Sequence, residues 1–121
     1  MALNVQGDLR KRLADALAPI DVRVNVPKDR PETLVTVTRE GGARLNMLQD
    51  SPGIGIYCYA PTEQKAWELA DKVADFMQTL NFADGYELIV QETMYSDPDP
   101  DTRTPRWYLS YTITTHKPIN N

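Results

Sequence analysis

Ile54-Gly55-Ile56-Tyr57-Cys58-Tyr59-Ala60-Pro61-Thr62-Glu63-Gln64-Lys65-Ala66-Trp67-Glu68-Leu69-Ala70 is the stretch that decides the fold class. In residues 54–60, Ile54, Ile56, Cys58 and Ala60 alternate with Gly55, Tyr57 and Tyr59. That period of two predicts a strand with one apolar face. After Pro61 the period changes. Ala66, Leu69, Ala70, Val73, Met77 and Leu80 form a stripe at helical spacing, with Glu68, Asp71, Lys72 and Asp75 largely outside it. Thr62 is placed to cap this helix through its hydroxyl, and Glu63 sits where the helix dipole favours an anion. Glu68 and Lys72 stand four apart in the favourable order, worth about 0.3–0.5 kcal/mol.

Upstream, residues 4–18 predict a first helix. Val5, Leu9, Leu13, Ala16 and Leu17 share a face, and Asp8, Arg10, Lys11, Arg12 and Asp15 lie mostly on the other. Pro19 stops it, because proline lacks the N–H and clashes with the preceding turn. A short strand is expected at 21–26 (Val22, Val24, Val26), then a polar turn between Pro27 and Pro31, then a β-branched strand at 33–40. Gly41-Gly42 ends or bends that strand. Residues 43–50 lack a clear period and read as a connector with some strand character, and Ser51-Pro52-Gly53 reads as a turn.

Downstream, residues 86–95 and 107–116 predict two more strands. In the first, Tyr86, Leu88, Val90 and Met94 are expected to face one way, against Glu87, Gln91 and Thr93. In the second, Trp107, Leu109, Tyr111 and Ile113 oppose Tyr108, Ser110, Thr112 and Thr114. Between them, residues 96–105 carry three prolines and read as an exposed loop, longer than an ordinary hairpin turn. The expected architecture is one α+β domain over residues 1–121: a mostly antiparallel sheet with two amphipathic helices packed on one face. The other face, rich in Thr, Tyr and Ser, is expected to be solvated or used for assembly.

Composition narrows the function. The chain of 121 residues has 13 Lys+Arg against 17 Asp+Glu, a net charge of −4, so it has no basic excess for general binding to a polyanion. Its apolar runs are too short for a membrane helix, and Met1-Ala2-Leu3-Asn4 does not open like a signal peptide. The single cysteine excludes an internal disulfide and a multi-cysteine zinc site. Cys58 reads as a small buried hydrophobe, and the lone His116 as a surface residue without a nucleophile and acid beside it. Asp97, Asp99 and Asp101 alternate like the acids of a calcium loop, but the turn glycine and the distal bidentate Glu are missing. Gly41-Gly42 and Gly53-x-Gly55 lack the lysine and helix start of a phosphate loop. Tyr57, Tyr59, Tyr95, Tyr108 and Tyr111 suit stacking on bases, yet without a basic groove they favour sheet packing or a subunit interface. Neither an enzymatic constellation, nor a cofactor, nor a metal site is expected, and the residues alone point to a binding or assembly module.

The ordered set of segments resembles the tail terminators and related head–tail connection proteins of long-tailed bacteriophages. The resemblance rests on the leading helix, on Val22-Arg23-Val24-Asn25-Val26-Pro27, on Ile56-Tyr57-Cys58-Tyr59-Ala60-Pro61-Thr62 entering the helix at 63–80, and on Asp97-Pro98-Asp99 with Thr102-Arg103-Thr104-Pro105-Arg106-Trp107-Tyr108 before the closing strand. It implies a homo-oligomeric ring, commonly a hexamer, that caps the tail tube and offers a docking surface to a head-completion or connector protein. It also implies that DNA passes through the lumen without specific binding, for which an acidic balance is suitable. Its place would be the head–tail junction of the virion, after assembly in the host cytoplasm. A neighbouring connector, such as a head-completion or stopper protein, is the alternative within the resemblance, and a small ligand-binding α+β domain the alternative outside it. Interface candidates are Asp97, Asp99, Asp101, Arg103 and Arg106 around the loop at 96–105, and Leu45 and Met47 in the connector at 41–52.

Overall fold

The computed structural model describes residues 4–44, 49–83 and 85–116, without the side chains at 42–44, 49, 50, 82 and 116. In chain order the elements are α1 (Val5–Leu17), β1 (Asp21–Arg23), β2 (Leu34–Arg44), β3 (Gln49–Tyr59), α2 (Glu63–Thr79), a 3₁₀ turn (Leu80–Phe82), β4 (Tyr86–Ser96) and β5 (Arg106–His116). The sheet has five strands in the order β1-β2-β3-β5-β4. Only β1 and β2 pair in parallel; the other neighbours are antiparallel. The fold is α+β, with two long hairpins at the centre of the architecture.

Local chemistry explains the helix ends. Asn4 Oδ1 accepts from the Gly7 N–H at 3.2 Å and caps α1. Ala18 is extended (ψ 138°), as the residue before a proline must usually be, so α1 stops there. At α2, Thr62 Oγ1 accepts from the Lys65 N–H at 3.2 Å, as its position predicts. Both helices bury one stripe on the same sheet face. Val5, Leu9, Leu13 and Leu17 of α1 and Leu69, Ala70, Val73 and Met77 of α2 pack against Val35, Val37, Ile54, Ile56, Cys58, Leu109, Tyr111 and Ile113. Ala16, expected in the α1 stripe, is exposed, because that stripe is only one residue wide per turn.

Four expectations are corrected. The first concerns residues 43–50. Where these are described they are strand: β2 runs past Gly41-Gly42 to Arg44, and β3 starts at Gln49. The register of β2 against β3 shifts between Arg39 and Gly42, so the glycines bulge the strand instead of ending it. Gly41 has φ 111°, a backbone region that a side chain disfavours.

The second is Ser51-Pro52-Gly53, which lies inside β3 and is not a turn. Among the described residues β3 pairs with β5 at Asp50 and again at Gly53, and the ladder skips Ser51 and Pro52. Pro52 keeps its place opposite Gly42 of β2, and its missing N–H coincides with the gap in pairing to β5. The third is β1, which ends at Arg23, leaving Val24 and Val26 in the following segment.

The fourth is the facing of β4. Its register against β5 shifts at Tyr86/Leu88 and again at Gln91/Thr93, which makes Glu87 and Glu92 the extra residues of two bulges. Each bulge reverses which side chains face the helices, since the strand period is two. Ile89 and Met94 therefore pack on the core, while Leu88 and Val90 turn outward and are 53% and 38% exposed.

Candidate functional site

The helix-free face of the sheet is built in rows fixed by strand register. Thr36, Tyr57, Tyr108 and Tyr95 stand side by side across four strands. On one side of that row are Leu34, Tyr59 and Arg106; on the other are Thr38, Gly55, Ser110 and Thr93. Cross-strand neighbours on one face come within contact distance, so the tyrosines form a ladder. Tyr57 and Tyr108 have ring centroids 4.8 Å apart at 37°, and Tyr95 meets Tyr108 edge-on at 5.5 Å. Thr93 and Ser110 hydroxyls are 2.6 Å apart.

Two guanidinium groups cover one end of the ladder. Arg106 lies 4.2 Å from the Tyr57 ring centroid and 5.6 Å from that of Tyr59. Its Nε donates to the Asp97 carbonyl at 2.7 Å, and its Nη2 pairs with Asp97 Oδ2 at 3.1 Å. Arg30 reaches in from the segment after β1, 5.0 Å from the Tyr59 ring, and donates to Thr104 Oγ1 at 2.8 Å. Tyr59 is consequently only 3% exposed although it faces away from both helices. Cations over aromatic faces are attracted by the ring quadrupole, and more strongly when water is excluded.

At the centre, the Tyr108 hydroxyl donates to Glu40 Oε1. The Glu40 carboxylate occupies the space that a Cβ on residue 55 would take, so Gly55 makes this contact possible. Burial, and after it the hydrogen bond and charge of Glu40, push the Tyr108 pKa up. Tyr57 is raised as well, chiefly by burial. Both phenols stay protonated at neutral pH, and the Tyr108 O–H is the donor to Glu40. Glu40→Gln removes the carboxylate charge. The Tyr108 titration is then expected to move down towards the ordinary tyrosine value of about 10, followed by NMR of ring-labelled tyrosine. An unchanged titration in a folded variant would assign the shift to burial alone.

The tip joining β4 to β5 is ordered by its own hydrogen bonds. The Asp97 N–H donates to the Arg106 carbonyl at 2.8 Å and the Asp99 N–H to the Thr104 carbonyl at 3.0 Å. Asp99 Oδ1 accepts from the Asp101 and Thr102 N–H groups at 2.8 and 3.2 Å, an Asx-type turn. Arg103 completes the turn at φ 59°. The Asp101 N–H bond, with that of Thr102, holds the Asp99 carboxyl below its ordinary pKa. A depressed carboxylate stabilises the fold above its unfolded pKa and ceases to do so as pH falls through the folded value. Asp99→Ala should therefore destabilise the tip at neutral pH, and the difference from the parent should fade below the ordinary carboxylate range near 3.9. Urea midpoints against pH measure this; a difference that grows on acidification would contradict it.

These contacts divide the interface candidates. Asp97 and Arg106 hold each other, and Asp99 shapes the turn. Asp101 and Arg103 are exposed at the apex. Leu45 and Met47 lie outside the described residues. The flanking strand ends are informative: Gln49 pairs with His116, whereas Tyr59 pairs with Arg106, so the two hairpin tips belong to opposite ends of the sheet. Cys58 is fully buried, and burial pushes its thiol pKa up, away from reactive thiolate. Arg12, from the basic run on α1, pairs with Asp8 at 2.8 Å, and the Tyr86 hydroxyl donates to the same carboxylate at 2.5 Å.

A separate groove beside α2, lined by Ile20, Thr33, Ala60, Trp67 and Leu69, also carries Lys65, Lys72, Glu68 and Asp71, charges of both signs. Among the described residues no helix is long and apolar enough to cross a membrane. No protein-family model matches the chain, and no curated protein is significantly similar to it. Sequence reasoning missed Leu88 and Val90 as surface groups, read Val26 as part of a strand and Arg30 only as part of a polar turn, and gave Glu40 no role. No local signal marks them, because their placement depends on bulges and on distant strands.

Proposed function

We propose that this chain is a structural subunit of a long-tailed phage or prophage, a tail terminator whose copies, six in the simplest ring, cap the head-proximal end of the tail tube. The reading begins from the resemblance of the ordered segments. The observation that carries it furthest is the sheet itself: one face is sealed by both helices, and on the other, where Leu34, Thr36 and Tyr59 are buried, the outer strand β4 leaves Leu88, Val90 and Tyr95 exposed. Antiparallel sheets often leave one face to water, but exposed apolar side chains grouped on one strand suit contact with a neighbouring subunit. Partners on this reading are further copies of the chain, the tail tube protein and a head-completion or connector protein. The net charge of −4 favours passage of DNA over capture, since acidic walls repel phosphate. The work is binding and closure, without turnover of a substrate.

Tail length tests it directly. Loss of the protein should give overlong or headless tails by electron microscopy, and adding the purified protein to tail tubes should cap one end. Tails of normal length that join heads without the protein would overturn the proposal.

A further inference from the structure

We propose that the two outer edges of the sheet are the two halves of one contact, through which a copy of this chain docks head-to-tail onto the next. The ring reading above supplies the expectation of closure; the contact itself is argued from the surface. Among the described residues, four of the five exposed large apolar side chains are at these edges. Leu88, Val90 and Tyr95 on β4 are 53%, 38% and 48% exposed, and Val26, just beyond β1, is 50% exposed. In the strand order β1-β2-β3-β5-β4 these patches lie at opposite edges, so one copy cannot bring them together.

The β4 patch lies on the helix-free face, and the groove beyond β1 follows the sheet edge beside α1, which contributes Arg10. Leu88 and Val90 stand beside Thr114 and Thr112 on the helix-free face. Val24 approaches that face through its carbonyl, which accepts from Thr38 Oγ1 at 3.5 Å. Their shapes and charges differ in a complementary way. On β4 the apolar side chains form a ridge, and the strand carries two glutamates and no cation. Beyond β1, residues 22–27 form a groove with Arg10, which donates to the Val22 carbonyl at 3.3 Å, and Arg23, which pairs with the single acid there, Asp21, at 3.7 Å, leaving one net positive charge. The exposed apolar side chains of β4, beside the exposed Glu92, fit a mixed groove in which Val26 is exposed and the net charge is positive, and opposite charges at such a rim select the partner and its register.

The seam is made by side chains and does not extend the sheet. Two bulges interrupt the outer edge of β4, and the Ile89 N–H already donates to Asn81 Oδ1 at 3.0 Å. Because the patches are different and lie on opposite edges, each added copy leaves one of each free. Growth then stops only when rotation closes the ring.

Val26→Cys and Val90→Cys test the seam in the full chain; Cys58 is buried and does not compete. Mixing the two single variants under mild oxidation should give a disulfide-linked dimer, and neither alone should. The double variant should give a ladder of oligomers. Adding Glu92→Arg, at an exposed position that folding tolerates, should lower the cross-link yield about tenfold or more. The reactions are run on the free protein and on protein bound to tail tubes. Cross-links between positions 26 and 90 without tube binding would uphold the seam and overturn the tail reading. Tube capping without those cross-links would overturn the seam and leave the tail reading intact. Dominant linkage of Val90→Cys to itself would show a symmetric dimer and also overturn the seam.

Discussion

Leu69→Asp abolishes the folded state. Leu69 sits in the buried stripe of α2, 4% exposed, packed into the core that both helices share with the sheet. The substitution removes about 2 kcal/mol of apolar burial. It also places a carboxylate in the apolar contact between α2 and the sheet, which costs several kcal/mol more or forces the acid to protonate, and Lys65 and Lys72 at the rim of the neighbouring groove offset only part of this. A domain of this size has a total stability of roughly 5–15 kcal/mol, so the combined loss is comparable to the whole. Circular dichroism should show no cooperative thermal transition. The control Leu69→Met conserves volume and should cost under about 1.5 kcal/mol. A parent-like melt for Leu69→Asp would mean that α2 docks by another face.

Arg106→Ala has the next largest effect, on the opposite side of the sheet. The guanidinium is 12% exposed, stacks over Tyr57 and Tyr59, and bonds both the carbonyl and the carboxylate of Asp97. Hydrogen bonds to charged groups contribute roughly 1.5–3 kcal/mol, and a cation over an aromatic ring about 0.5–2. These terms share one side chain and do not simply add, so a loss of about 2–4 kcal/mol is expected from urea unfolding. Arg106→Lys should recover only a small part, because an ammonium lacks the planar fork and stacks less well. In a double-mutant cycle with Asp97→Ala the two losses should be clearly less than additive. Additive losses would show that the salt bridge contributes nothing beyond each side chain's own packing. Because this cluster also ties the tip to the body of the sheet, the variant should expose Tyr59, which hydrogen–deuterium exchange near the tip would report.

Both effects arise at positions that read differently in sequence. Leu69 was legible: its stripe recurs over the length of α2, and Thr62 at the start of that stripe signals where the helix begins. The alternation of β5 and of residues 54–60 was legible for the same reason, since each side chain's facing follows from its neighbours one or two positions away. Arg106 was legible only as a charge at the edge of a loop. Its partners are Tyr57, Tyr59 and Asp97, two of them on another strand, and only the pairing of β3 with β5 brings them under it.

The same division holds along the chain. Amphipathic period, N-caps and Pro19 determine two helices and most strands locally, because they depend on backbone dihedrals and side-chain spacing within a few residues. The facing of Leu88 and Val90 does not. Glu87 and Glu92 become bulges only because β5 offers one residue where β4 supplies two, and each bulge reverses the period that the sequence displays. Gly41-Gly42 and Pro52 likewise carry strong breaking signals, but the long β2–β3 pairing runs on through them, with a bulge at the glycines and, on the other side of β3, a gap in the β3–β5 ladder at Pro52. Tyr59 is buried by arginines 29 and 47 positions away. The sequence by itself thus determined the two helices, most of the strands and which helical faces are apolar. The tertiary structure alone decided register, the composition of the helix-free face and the partners of its charges, since these depend on contacts between residues that the chain holds far apart.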